Sequence, residues 1–191
     1  MNPDSALPTR HLGAGATLVQ AAPWATESVR LDSPALAVMT DLTKVKAAAT
    51  VRDTRLPQAE QLMIYQGVRM LFVVGEMPAV EGLVTHADID GDRAMRVVQQ
   101  RGLRRDEVTV GDVMTELAAL DAIDLVALKT ARVGNVVATL KSLGRHHLLV
   151  ADAGSRIVGI ISRTQVARQL GMPVEVVEIA GSFAEIRQML G

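Results

Sequence analysis

Apolar and polar positions along this chain fall into two blocks that read alike. In the first, Gln58 to Gln66 (QAEQLMIYQ) carries apolar residues at helical spacing and stops at Gly67. LFVV follows, a short apolar run that suits a buried strand. GEMPA is turn chemistry, VEGLVT predicts the second strand of a hairpin, and a helix opens at Thr85. In the second block, Val133 to Leu143 predicts a helix ahead of Gly144. HLLV, DAGS and RIVGIIS repeat strand, turn and strand, and a helix opens at Ser162. The unit is helix, strand, hairpin, strand, helix, preceded by an extended segment around Lys44 to Ala49.

The blocks superpose at an offset of 77 positions without a gap. Gly67 falls on Gly144, Arg69 on His146, Gly82 on Gly159, Leu83 on Ile160, Thr85 on Ser162 and Ile89 on Val166. Upstream, Val38-Met39-Thr40-Asp41-Leu42 matches Val113-Met114-Thr115-Glu116-Leu117 at an offset of 75. Two such units are too few for a solenoid and suit a tandem pair packed together. The expected division is an N-terminal extension over 1–32, partly disordered or draped on the surface, then repeat 1 with its linker over 33–110 and repeat 2 over 111–172. A C-terminal extension covers 173–191, with an edge strand in VEVVEI and a capped helix from Phe183 to Leu190. Asp92 to Arg101 predicts an extra helix ending at Gly102.

Composition narrows the function classes. Twenty basic residues stand against 21 acidic ones, so nothing in the charge calls for nucleic acid or a membrane surface. Only four residues are aromatic, so the core is aliphatic and base-stacking platforms are scarce. The absence of cysteine excludes disulfides and thiolate metal sites. No apolar run reaches the ~18 residues that a membrane span needs. These features predict a soluble, cytoplasmic protein.

The paired VMT segments, the two helix-glycine-strand blocks, and GLVTHAD with GIISRTQ resemble a tandem pair of CBS domains, or Bateman module, over residues 33 to 172. The resemblance implies an α/β fold: two pseudo-twofold CBS repeats, each a small sheet flanked by helices, packed as one module. It also implies clefts between the repeats that take AMP, ADP, ATP or S-adenosylmethionine, a homodimer, and an unknown regulated protein as partner.

The two motif copies differ in chemistry. Thr85 opens a helix whose first N–H groups lack internal partners and favour phosphate. Asp88, three residues on, offers two acceptor oxygens suited to a ribose cis-diol. By the resemblance, Thr85 contacts phosphate or ribose, Asp88 clamps the ribose, Leu83 lies under the base and Arg69 approaches the phosphates. His86 sits within the motif and contributes its backbone N–H. Thr-x-x-Asp is equally a good helix cap without any ligand. In the second copy, Ser162 and Gln165 form a capping box, Ser capping and Gln reaching back, beside Ile160. That copy is expected to hold ribose weakly or not at all. His146 or His147 is a further candidate for phosphate. The expectation is one nucleotide per chain, on the Asp88 side.

Other patterns lead nowhere. Asp88-Ile-Asp90-Gly-Asp92 lacks the glycine and glutamate spacing of a calcium loop. Gly13-Ala-Gly15 is no dinucleotide fingerprint, and the histidines show no metal-ligand spacing. Met63 is expected in the core. No nucleophile or acid–base pair is evident, so the chain reads as a non-catalytic sensor, or else as a docking scaffold with degenerate pockets. Met95, Val97 and Val98 on an outer helix are expected to face a second copy.

Overall fold

The structure is a computed structural model that describes residues 27–175. Residues 176–179 of the expected edge strand after Pro173, the helix at 183–190, Gly13-Ala-Gly15 and residues 1–26 of the 1–32 extension lie outside the described residues.

Among the described residues, eight strands and seven α-helices follow in chain order: β1 Thr40–Asp41, β2 Ala49–Thr50, α1 Leu56–Gln66, β3 Met70–Val74, β4 Val80–Thr85, α2 His86–Asp90, α3 Asp92–Arg101, α4 Val110–Val113, β5 Thr115–Glu116, β6 Ala122–Asp124, α5 Leu125–Thr130, α6 Val133–Leu143, β7 His147–Ala151, β8 Ile157–Ser162 and α7 Arg163–Leu170. The helix expected from Gln58 begins two residues earlier, where Pro57 occupies its first turn. Helices α1, α3, α6 and α7 each end at a glycine with φ between 61° and 65°, a left-handed conformation that costs a side-chain-bearing residue energy. These stops are what made the helices legible.

Two four-stranded sheets form, in the orders β2-β3-β4-β5 and β1-β8-β7-β6. The central hairpins share one register. Met70 lies opposite Thr85 in the first and His147 opposite Ser162 in the second, with a bulge at the same place in each. The outer strands are exchanged. β1, upstream of the first hairpin, pairs antiparallel with β8 of the second. β5, upstream of the second, pairs antiparallel with β4 of the first. The VMT-type segments are therefore the crossing pieces, each completing the other repeat's sheet.

Alternation along the strands builds three cores. Leu71 and Val73 point to one face and pack with Leu56, Met63, Val84, Ile89, Val110 and Val113. Met70 and Phe72 point to the other and meet Leu83 and Leu149 between the sheets. Leu148, Val150, Leu140, Val136 and Ile161 form the second repeat's core, joined by Ala35 and Val38 from the start of the chain. Met63 is buried as expected. The outer-helix expectation needs correction. Val97 and Val98 pack against the first core, and of that trio only Met95 is substantially exposed. The helix packs against α2 and α4, which turns two of its apolar residues toward that core.

Candidate functional site

β4 and β8 run side by side with their partners into the starts of α2 and α7, so the two motif copies sit at equivalent places. His86 N–H donates to the Arg69 carbonyl at 2.9 Å, and Arg163 N–H donates to the His146 carbonyl at 2.9 Å. Beyond that shared bond the copies diverge.

In the first copy the cap is closed. The Thr85 backbone N–H and hydroxyl both donate to Asp88 Oδ2, at 2.8 and 2.7 Å, and Asp88 N–H donates to Thr85 Oγ1 at 3.3 Å. The other carboxylate oxygen, Oδ1, pairs with Arg93 Nη1 at 3.3 Å. Arg93 also donates to the carbonyls of Val113 and Met114 and to Thr115 Oγ1, at 2.9, 3.4 and 3.3 Å. The guanidinium bridges α2 to the exchanged strand β5. Asp88 is spent on the cap and on this bridge.

In the second copy the cap is open, which corrects the expected capping box. Ser162 makes no side-chain bond to the first turn of α7. Gln165 turns outward instead, and its Oε1 accepts from the Thr40 hydroxyl of β1 at 3.3 Å. The reason is the exchanged strand: β1 lies beside β8, with Thr40 opposite Ile160, and offers the longer amide a nearer donor.

A cleft of about 650 Å³ opens on this second side. Its walls come from the segment Thr40 to Ala48, the start of β3, the start of α2, and the loop and helix around Ser162. Thr85, His86, Arg69, His146, His147, Ile160, Ser162 and Gln165 all line it. Asp88 and Leu83 do not; Leu83 is buried between the sheets beside Phe72. The structure thus brings together most of the first candidate set and all of the weaker one, and leaves out the acid.

Electrostatically the lining has one sign. Lys46, Arg69, Arg163 and Arg168 contribute full charges, three histidines stand among them, and no carboxylate lines it among the described residues. Lys46 and Arg168 lie outside the repeated motifs, and Arg163 and Thr164 lie within GIISRTQ but were not singled out there as ligand contacts. Arg69 Nη2 lies 3.4 Å from His86 Nδ1, and His86 Nε2 lies 4.0 Å from Glu60. His147 is the most perturbed group. Its Nδ1 is buried without a partner, and burial pulls its pKa from 6.5 down to about 4, helped by the positive charges of His146, Arg163 and Arg69. Arg163 Nε is likewise buried without a partner, while its Nη1 donates to the Val174 carbonyl at 3.4 Å. No group of three or more metal-ligating side chains occurs among the described residues, and no helix among them is long and apolar enough to cross a membrane.

Solved structures share this fold. An uncharacterized conserved protein from Pyrococcus horikoshii aligns with a TM-score of 0.56 at 23% identity, over 78% of this chain and 100% of that one. A CBS-domain-containing protein from Agrobacterium tumefaciens aligns at 0.52 and 17% identity, over 66% of this chain and 93% of its own. A protein with CBS domains from Burkholderia ambifaria aligns at 0.50 and 20% identity, over 65% and 82%. This chain has the fold of a CBS-domain pair. No family model and no curated protein matches it. Within the CBS pair, the exchanged outer strands and the twin helix starts set the position of the cleft, and the caps of the two helices differ.

Proposed function

We propose that this CBS pair is a non-catalytic regulatory module that binds a phosphate-bearing adenosine nucleotide in the Ser162-side cleft and signals to a partner protein. One observation carries the reading: an uncapped helix start opens into a cleft that, among the described residues, is lined by seven basic side chains and no acid. Anions are favoured at helix N-termini and beside guanidinium groups. The size of the cleft falls within the range of small-molecule sites. The adenosine half of the assignment rests on the sequence resemblance to CBS domains. The charge selects among the adenosine ligands: it favours ATP, ADP or AMP and opposes S-adenosylmethionine, whose sulfonium is cationic. Because the cleft walls belong to both repeats, a bound nucleotide favours one relative arrangement of them, which is the differential binding that signalling needs. A homodimer using the exposed Ile64, Tyr65 and Met95 is the proposed scaffold.

Calorimetry with ATP, AMP, adenosine and S-adenosylmethionine tests this. One ATP per chain, bound more tightly than adenosine and recovered unhydrolysed, is the expected outcome. A competing observation is the Thr40–Gln165 hydrogen bond, which uses an acceptor that a ribose would want. Silence with all four ligands would leave the docking-scaffold reading in its place.

A further inference from the structure

We propose that His147 and Arg163 form an anion subsite in this cleft that takes up one proton when a phosphate group binds. The inference rests on the proposed nucleotide function and adds its regulation: ligand affinity becomes a reading of pH.

Buried polar atoms without partners are rare in folded proteins and call for an explanation. Among the described residues, His147 Nδ1, Arg163 Nε and Gln169 Oε1 are the buried side-chain atoms in this condition. Two of the three belong to neighbouring residues on one cleft wall, β7 and the start of α7. Arg163 Nε is an obligate donor. His147 Nδ1 becomes a donor when the imidazole is protonated or adopts that tautomer. Both atoms lie beneath the cleft surface, and a turn of the two side chains into the cleft would bring them to one phosphate group.

The charges around His147 set the proton's behaviour. Facing the cleft are Arg163 and Arg168 on α7, Arg69 before β3, His86 on α2, Lys46 before β2, and His146 on the approach to its own strand. Glu60 on α1 reaches only the far side of His86. Burial first, and then the charges of His146, Arg163 and Arg69, hold His147 neutral, with its pKa lowered to about 4. A polyphosphate reverses the local sign, so the imidazolium that was opposed is now paired. If pairing returns the imidazole to its ordinary range near 6.5, linkage gives about a tenfold gain in affinity from pH 7.5 to pH 5.5.

The experiment is calorimetry with ATP and with inorganic tripolyphosphate across pH 5.5 to 8, in buffers of different ionisation enthalpy. Wild type is compared with His147→Gln, His86→Gln and His146→Gln, which cancels the ligands' own titration. The expected result is proton uptake approaching one per site at pH 5.5. That uptake and the tenfold gain should vanish in His147→Gln and persist in the other two. An NMR titration of the unaltered protein guards against a misfolded variant: the His147 imidazole should move from near 4 toward 6.5 when tripolyphosphate is added. Binding with the same pH dependence in wild type and His147→Gln, or an imidazole that does not move, overturns the inference and leaves the nucleotide function standing. No heat with either probe at any pH overturns both.

Discussion

Two Thr-x-x-Asp sequences open helices in the described chain, Thr85 to Asp88 and Thr109 to Asp112, and their geometry is nearly the same. Thr109 N–H and Oγ1 donate to Asp112 Oδ2 at 2.9 and 2.8 Å, and Arg101 pairs with Oδ1 at 2.5 Å. The second example does not line the cleft, so the arrangement is first of all a structural cap. Asp88→Ala is therefore expected to lose about 1–2 kcal/mol of stability in urea unfolding, from the cap and the first-turn charge. ATP affinity should stay within about twofold, since the carboxylate is outside the cleft. Arg163→Ala should weaken ATP about tenfold or more at nearly unchanged stability, because its guanidinium has one weak protein partner and belongs to the proposed anion subsite. His147 adds a pH prediction. Its folded pKa, about 4, lies below the unfolded value of 6.5, so the unfolded chain binds more protons between them. Stability is full above pH 6.5 and falls as pH drops toward 4, by up to about 3 kcal/mol. Urea midpoints measured from pH 7.5 to 4.5 should show that slope, and His147→Gln should flatten it.

At the scale of elements, the hairpins and their helices were legible because each ends on a signal the backbone obeys: a left-handed glycine, a turn cluster, or a short apolar run. The offset of 77 carries through to the register itself, since Met70–Thr85 and His147–Ser162 are equivalent pairs. The cleft was less legible. Thr40 to Ala48 and Ser162 to Arg168 are over a hundred positions apart and carry no shared local pattern. Gln165 could be read as a cap only because its competitor, Thr40, is brought in by strand exchange. The two glycines of the repeated phrase test the exchanged strands directly. A Cβ at Gly82 would collide with the Thr115 carbonyl oxygen, which is backbone of β5 and cannot step aside. A Cβ at Gly159 would strike the Met39 sulfur, the end of a flexible side chain. Gly82→Ala should therefore cost more stability than Gly159→Ala, about 2–3 against about 1 kcal/mol, given that overpacking costs typically 1–3. Thermal or urea unfolding of the two variants ranks them, and equal costs would mean that β5 is looser than its contacts imply.

For the whole molecule, the exchange decides what can fold alone. The first core draws on Val108, Val110, Val113 and Met114, and its sheet closes with β5. The second core draws on Ala35 and Val38, and its sheet closes with β1. Cutting by sequence repeat, at 33–110, keeps a strand that belongs to the other sheet and discards Val113, Met114 and β5. Cutting at 43–120 keeps all four strands of one sheet and every buried member of its core. The 43–120 fragment should give dispersed amide resonances and a cooperative urea transition, whereas 33–110 should not. Even the better fragment exposes Met70, Phe72 and Leu83, which in the intact chain face Leu149 across the sheets, so it should be less stable than the whole and prone to self-associate. The same crossing explains how a ligand could be felt at a distance. The Thr40 to Ala48 wall of the cleft is continuous with β1, which is bonded to the second sheet, and with β2, which is bonded to the first. A molecule that draws this wall toward Arg163 pulls on both sheets at once, and the weak point it must work against is the single 3.3 Å bond between Thr40 and Gln165. Gln165→Ala removes that bond without touching either core. It should leave the unfolding midpoint within about 0.5 kcal/mol, as for most substitutions away from buried features, while changing ATP affinity more than Asp88→Ala does. If Asp88→Ala has the larger effect on binding, the wall between β1 and α7 is not where the nucleotide acts.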